Sequence, residues 1–109
     1  MSKRAIFITH RALPGKRDQV RGVWERHLRP VIESNPGHEA YFYCYDDEDA
    51  DVVRVYQQYS DATSQEAFLG EDAYALYEEE VAPLLAAPPD VRLVTPWWTK
   101  EEVATAPVE

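Results

Sequence analysis

LPGKRDQVRGVWERHLRPVIESNPG, from Leu13 to Gly37, decides the fold, because it reads as one amphipathic helix held between two turns. Pro14-Gly15 closes an apolar run and lets the chain reverse. Asn35-Pro36-Gly37 stops the helix, since Pro36 cannot continue it and Gly37 tolerates positive φ. Between the turns, Val20, Val23, Trp24, His27, Leu28 and Val31 recur at helical spacing and form one apolar stripe. Arg17, Asp18, Arg21, Glu25, Arg26, Arg29 and Glu33 face away from it. His27 is the one ionisable group on the stripe, which makes it the first candidate for chemistry.

Outward from this helix the chain alternates between strands and helices. Ala5 to Arg11 precedes it as a β-rich run, and His38 to Tyr45 (HEAYFYCY) and Val52 to Tyr59 (VVRVYQQY) follow it as two more strands. DDEDAD, Asp46 to Asp51, joins those two as an acidic hairpin turn; it lacks the glycine and distal glutamate of a calcium loop. Asp61 or Thr63 caps a second helix that Gly70 breaks, and a further helical piece runs from about Asp72 to Ala86, with Pro83 as a kink or restart. Its inner stripe is Ala73, Tyr74, Tyr77, Val81, Leu84 and Leu85. Pro88-Pro89 ends it, and Val91 to Thr95 is a fourth strand.

Residues 1–96 therefore form one α+β domain of order βαββαβ, with four antiparallel strands and the helices on one face, and 97–109 form a tail. The second sheet face is not polar, because Phe42 and Cys44 alternate with Tyr41, Tyr43 and Tyr45, and Val52 and Tyr56 alternate with Val53 and Val55. A second copy, sheet against sheet, covers such a face most simply, so a homodimer with a barrel-like core is expected, with Trp97-Trp98 reaching across.

Composition narrows the function classes. The chain has 109 residues and 45% hydrophobic residues, enough for one core, and no apolar run long enough for a membrane span or a secretory leader. A cytoplasmic, membrane-free protein is expected, and the lone Cys44 reads as a small buried hydrophobe. Charge is lopsided: residues 1–37 carry +5 and residues 38–109 carry −14. Either the first part is an anion-binding patch or a basic helix packs beside an acidic one. Because the basic residues lack interleaved aromatics, no nucleic-acid partner is expected. The three histidines do not show metal-ligand spacing, and no phosphate loop, G-x-S-x-G elbow or C-x-x-C occurs, so no metal is expected.

From about Ala5 to Pro96 the chain resembles the antibiotic biosynthesis monooxygenase superfamily, whose members are ferredoxin-like dimeric α+β barrels. The likeness is carried by PGK at Pro14 to Lys16, LRPVIESNPG at Leu28 to Gly37 entering an aromatic strand, and the acidic hairpin. Tyr59-Ser60-Asp61 opening a helix and VAPLLAAPP at Val81 to Pro89 complete it. The resemblance implies oxidation of a phenolic or quinol-like aromatic by dioxygen without a cofactor, or a small-ligand-binding protein without catalysis. It implies haem binding or degradation less well, because Ile8, Phe68 and Tyr77 or Glu78 stand where haem-degrading relatives carry Asn, Trp and His. His10 and His27 are the residues that could ligate haem axially.

The candidate residues follow. His27 is either a general base or a core-edge histidine, and Tyr77 assists deprotonation or packs. Trp24, Phe68 and Tyr74 hold an aromatic ring or fill the core, and His10 lies near the end of the first strand as a further pocket group. His38 is expected to be exposed, and Arg54 to need an acidic partner across a dimer interface.

Overall fold

The computed structural model describes residues 3–100. Its elements are β1 (Arg4–Arg11), α1 (Arg17–His27), α2 (Arg29–Ser34), β2 (His38–Tyr45) and β3 (Val52–Tyr59). They are followed by α3 (Ala62–Leu69), α4 (Asp72–Val81), a 3-10 turn at Ala82–Leu84, and β4 (Asp90–Val94). The strands form one antiparallel sheet of order β2-β3-β1-β4, the ferredoxin-like arrangement. The expected second and third strands match to the residue, and β4 starts one residue earlier than expected.

The first turn has a specific geometry. Lys16 N–H donates to Leu13 O at 2.9 Å across Pro14-Gly15, and Gly15 holds φ at +77°, which is a type II turn with proline and glycine in their favoured places. Gly37 does not need positive φ, contrary to expectation. Its requirement is space: a Cβ there would come within 2.8 Å of Ser64 Cβ on α3.

The expected single helix is two helices. Pro30 has no N–H to donate to Arg26 O, so α1 ends at His27 and α2 restarts with Pro30 in its first turn. Asn35 is extended, as a residue before proline prefers, and α2 stops there.

Strand register sorts the two faces. Ile6, Ile8 and His10 of β1 lie opposite Gln57, Val55 and Val53 of β3, and these lie opposite Tyr41, Tyr43 and Tyr45 of β2. This face packs on Val20, Val23 and Leu28 and on Phe68, Tyr77 and Val81 of the helical layer, and all six are buried. The other face presents Phe7, Phe42 and Tyr56 as adjoining rings, with Phe7 and Tyr56 centroids 5.0 Å apart. Phe7 and Phe42 are about half exposed there (51% and 58%).

Three side chains depart from expectation on or near this sheet. Cys44 is exposed on the open face rather than buried. Arg54 is exposed and its partner lies within the chain, Asp46 Oδ2 at 2.7 Å, because the hairpin folds back over it. His38 is half-buried rather than exposed, with its ring 4.5 Å from those of both Tyr59 and Phe68. Trp97 and Trp98 are exposed, and the tail beyond Lys100 lies outside the described residues.

The charge asymmetry resolves into pairs rather than a patch. Arg26 and His27 both engage Glu80, so the basic α1 meets the acidic α4. Arg11 meets Asp49 at 2.9 Å, and Lys3 meets Glu39 at 2.6 Å. Arg17 donates to three hairpin carbonyls, those of Asp46, Asp49 and Val52, while its guanidinium lies 3.8 Å from the Tyr45 ring centroid. The hairpin carboxylates are turned inward on their own loop: Asp46 accepts from the Glu48 and Asp49 amides, and Asp49 from the Asp51 amide. These bonds hold Asp46 and Asp49 below the usual carboxylate range, with Arg54 the largest influence on Asp46.

Candidate functional site

Where the helical layer separates from the sheet, a cavity of about 210 Å³ opens. The sheet supplies Ile8, His10, Tyr41, Tyr43, Val55, Gln57 and Val91, and α1 with its end supplies Trp24 and Leu28. α4 and the following turn close it with Tyr74, Tyr77, Glu78 and Val81. An apolar cavity of about 150 Å³ holds a benzene, so this one suits one or two fused rings and is too small for a haem macrocycle.

His10 is the polar centre. Alternation along β1 turns it inward with Ile6 and Ile8, and it is 4% exposed. Its Nε2 lies 3.0 Å from Tyr77 Oη, while Nδ1 is buried with no partner among the described residues. Burial lowers its pKa to about 4, so the imidazole is neutral across the physiological range. The Tyr77 phenol is pushed upward, chiefly by burial, and keeps its proton.

Facing this pair, Trp24 Nε1–H donates to Tyr41 Oη at 3.0 Å and the indole lies 4.4 Å from the Tyr43 ring. Burial raises the pKa of Tyr41 and Tyr43 too, and the Tyr43 hydroxyl is buried with no partner among the described residues. Glu78, exposed at the rim, pushes Tyr74 and Tyr77 further up. The cavity is therefore aromatic and neutral, with hydroxyl, imidazole and amide groups inside and one carboxylate at its mouth.

Of the expected residues, His10, Trp24, Tyr74 and Tyr77 come together here. Phe68 does not line the cavity; it lies one layer back, 5.6 Å from the Tyr74 ring and 4.5 Å from His38, where it braces the wall. His27 also stands outside. The helix ends at His27, and the side chain turns to Glu80 rather than into the cavity.

Tyr41, Tyr43, Gln57 and Glu78 line the cavity without being among the expected site residues. Gln57 left a signal: it is the one polar residue in the inward row Val53, Val55, Gln57, Tyr59. No group of three or more His, Cys, Asp or Glu positioned for a metal occurs among the described residues.

A ferredoxin-like α+β domain with an aromatic cavity between sheet and helices defines the class. Residues 4–80 match the family model for antibiotic biosynthesis monooxygenases, and the chain belongs to that family. Solved structures share the fold. Rv0793 from Mycobacterium tuberculosis is 18% identical, with 91% of this chain and 99% of that one aligned at a TM-score of 0.81. NE2512 from Nitrosomonas europaea, of unknown function, is 24% identical over 92% and 94% of the two chains, at 0.77. A Chloroflexus aurantiacus protein named for the same family is 22% identical over 90% and 96%, at 0.75. No curated protein matches the sequence. No helix among the described residues is long and apolar enough to cross a membrane.

Proposed function

We propose that this chain oxidises a small hydroxyaromatic of one or two rings with dioxygen, drawing electrons from the substrate rather than from a resident cofactor. The observation that carries the reading is the buried His10–Tyr77 pair inside an aromatic cavity of about 210 Å³. For a naphthol-like substrate the balance closes without another reductant. One oxygen atom enters the ring to give the quinone and the other leaves as water, with all four electrons supplied by the substrate.

The protein's part is to bind the ring, exclude water and move a proton. Tyr77 Oη takes the substrate hydroxyl proton as its own passes to His10 Nε2, in the tautomer that carries the imidazole proton on Nδ1. Burial of His10 makes imidazolium costly, so the transfer serves acidic hydroxyls, such as those conjugated to a carbonyl.

Oxygen-electrode assays with a panel of naphthols and quinols check this. Oxygen uptake should match quinone formation and persist in EDTA. Uptake that requires added metal or flavin would sink the mechanism.

The depressed basicity of His10 also supports a second reading, in which the cavity binds such a compound without turnover. Micromolar binding without oxygen uptake across the panel would select it.

The ring patch Phe7, Phe42 and Tyr56 on the open sheet face supports a homodimer formed face to face, which would bury it in both copies. Sedimentation velocity is expected to give a dimer, and Phe42→Asp a monomer, because each interface loses two apolar contacts and gains two buried charges. A wild-type monomer at 100 μM would refute the pairing.

A further inference from the structure

Gln57 is 1% exposed and sits in the cavity wall, and both its hydrogen-bond partners act on the same atom. Tyr59 Oη–H donates to Oε1, and His38 Nε2 lies 3.2 Å from Oε1. Neither bond uses the amide nitrogen.

The direction of these bonds is set from a distance. A backbone N–H can only donate, and Gly37 N–H donates to Asn35 Oδ1 at 3.0 Å. That leaves the Asn35 Nδ2–H group to donate to His38 Nδ1, 2.9 Å away. His38 then carries its proton on Nε2 and donates to Gln57 Oε1, which fixes the amide with its NH2 on the other side. Burial lowers the His38 pKa, which keeps the ring neutral and this tautomer in place. Tyr59 alone could not fix the amide, because a hydroxyl accepts as readily as it donates.

We infer that Gln57 Nε2–H is a hydrogen-bond donor held ready for a ligand oxygen in the cavity, so that the site selects neutral aromatics bearing a ketone or quinone carbonyl and rejects those offering only N–H. His38 and Asn35 are positioning residues that act through Gln57. Carbonyl selection agrees with Glu78, whose charge at the rim disfavours an anionic ligand. The inference rests on the cavity being the ligand site, and it extends that reading from ring size to polarity.

Three bicyclic probes of similar size separate the two. Indene has no hydrogen-bonding group, indole only donates, and 1-indanone only accepts. Calorimetric titration of the full chain is expected to show 1-indanone bound about tenfold more tightly than indole. Gln57→Met keeps the shape and removes the donor. The affinity ratio of 1-indanone to indene should fall about tenfold while indene is unchanged.

His38→Phe keeps an aromatic ring between Tyr59 and Phe68 and frees the amide to turn over. Indole should then gain about tenfold, since Oε1 can face it, a gain that loosened packing would not produce. A 1-indanone to indene ratio within about twofold of wild type in Gln57→Met would overturn the inference. So would an unchanged indole affinity in His38→Phe, which serves alone if the Gln57 variant fails to fold. If wild-type protein binds none of the three probes, the cavity reading falls first and this inference with it.

Discussion

Tyr77→Phe is expected to lower oxygen-dependent turnover of a small hydroxyaromatic about 100-fold, the lower end of what a positioned proton-transfer group contributes. The loss should fall on kcat, because the ring edge that lines the cavity is retained and only the hydroxyl 3.0 Å from His10 Nε2 is removed. The variant also strands His10, whose Nδ1 already lacks a partner, so unfolding free energy should drop by about 1–3 kcal/mol. His27→Ala is the contrasting arm. Its ring pairs with Glu80 outside the cavity, so turnover should stay within twofold of wild type. Steady-state kinetics with a naphthol substrate decides both, and a tenfold fall in His27→Ala with an unimpaired Tyr77→Phe would reverse the assignment.

Acidification from pH 6.5 to 4 is expected to remove about 3 kcal/mol of folding stability through His10 alone. The sign follows from which state binds the proton. Above pH 6.5 the imidazole is neutral in both states and contributes no pH slope. Below it the unfolded chain takes up a proton that the folded chain refuses until about pH 4, so stability is lost across that window. Below about pH 4 a separate loss follows, as Asp46 and Asp49 protonate and release the hairpin amides. Urea midpoints at half-unit pH steps should therefore fall in two stages. In His10→Phe the upper stage should shrink to the part left by His38, whose pKa burial also lowers, and the lower stage should remain; an unaltered upper stage would show that His10 titrates normally.

The sequence made the fold legible because its punctuation is chemical. Pro14-Gly15 specifies a type II turn, Asp61 accepts from Ser64 N at 2.8 Å as a helix cap, and the alternation in HEAYFYCY and VVRVYQQY fixes both strands. Pro30 was equally readable as the end of a hydrogen-bond ladder, yet the continuous apolar stripe masked it.

The site was half legible. Trp24, Tyr74 and Tyr77 follow from helix stripes, and His10 from strand alternation. Gln57 and Tyr43 enter through cross-strand register, which pairs residues far apart in sequence. His27 lies outside the cavity because a stripe position at a helix terminus need not point inward. A side chain there can turn to a neighbouring carboxylate instead.

Both rims of the sheet are poor templates for strand addition. β2 carries a register break between His38 and Ala40, and β4 is five residues long and follows Pro88 and Pro89, which have no amide hydrogen to offer. An open aromatic face and a free thiol both favour association. Guarded rims instead deny the chain the edge-to-edge template on which cross-β growth depends, so crowding at high concentration should yield finite, dissociable particles rather than filaments.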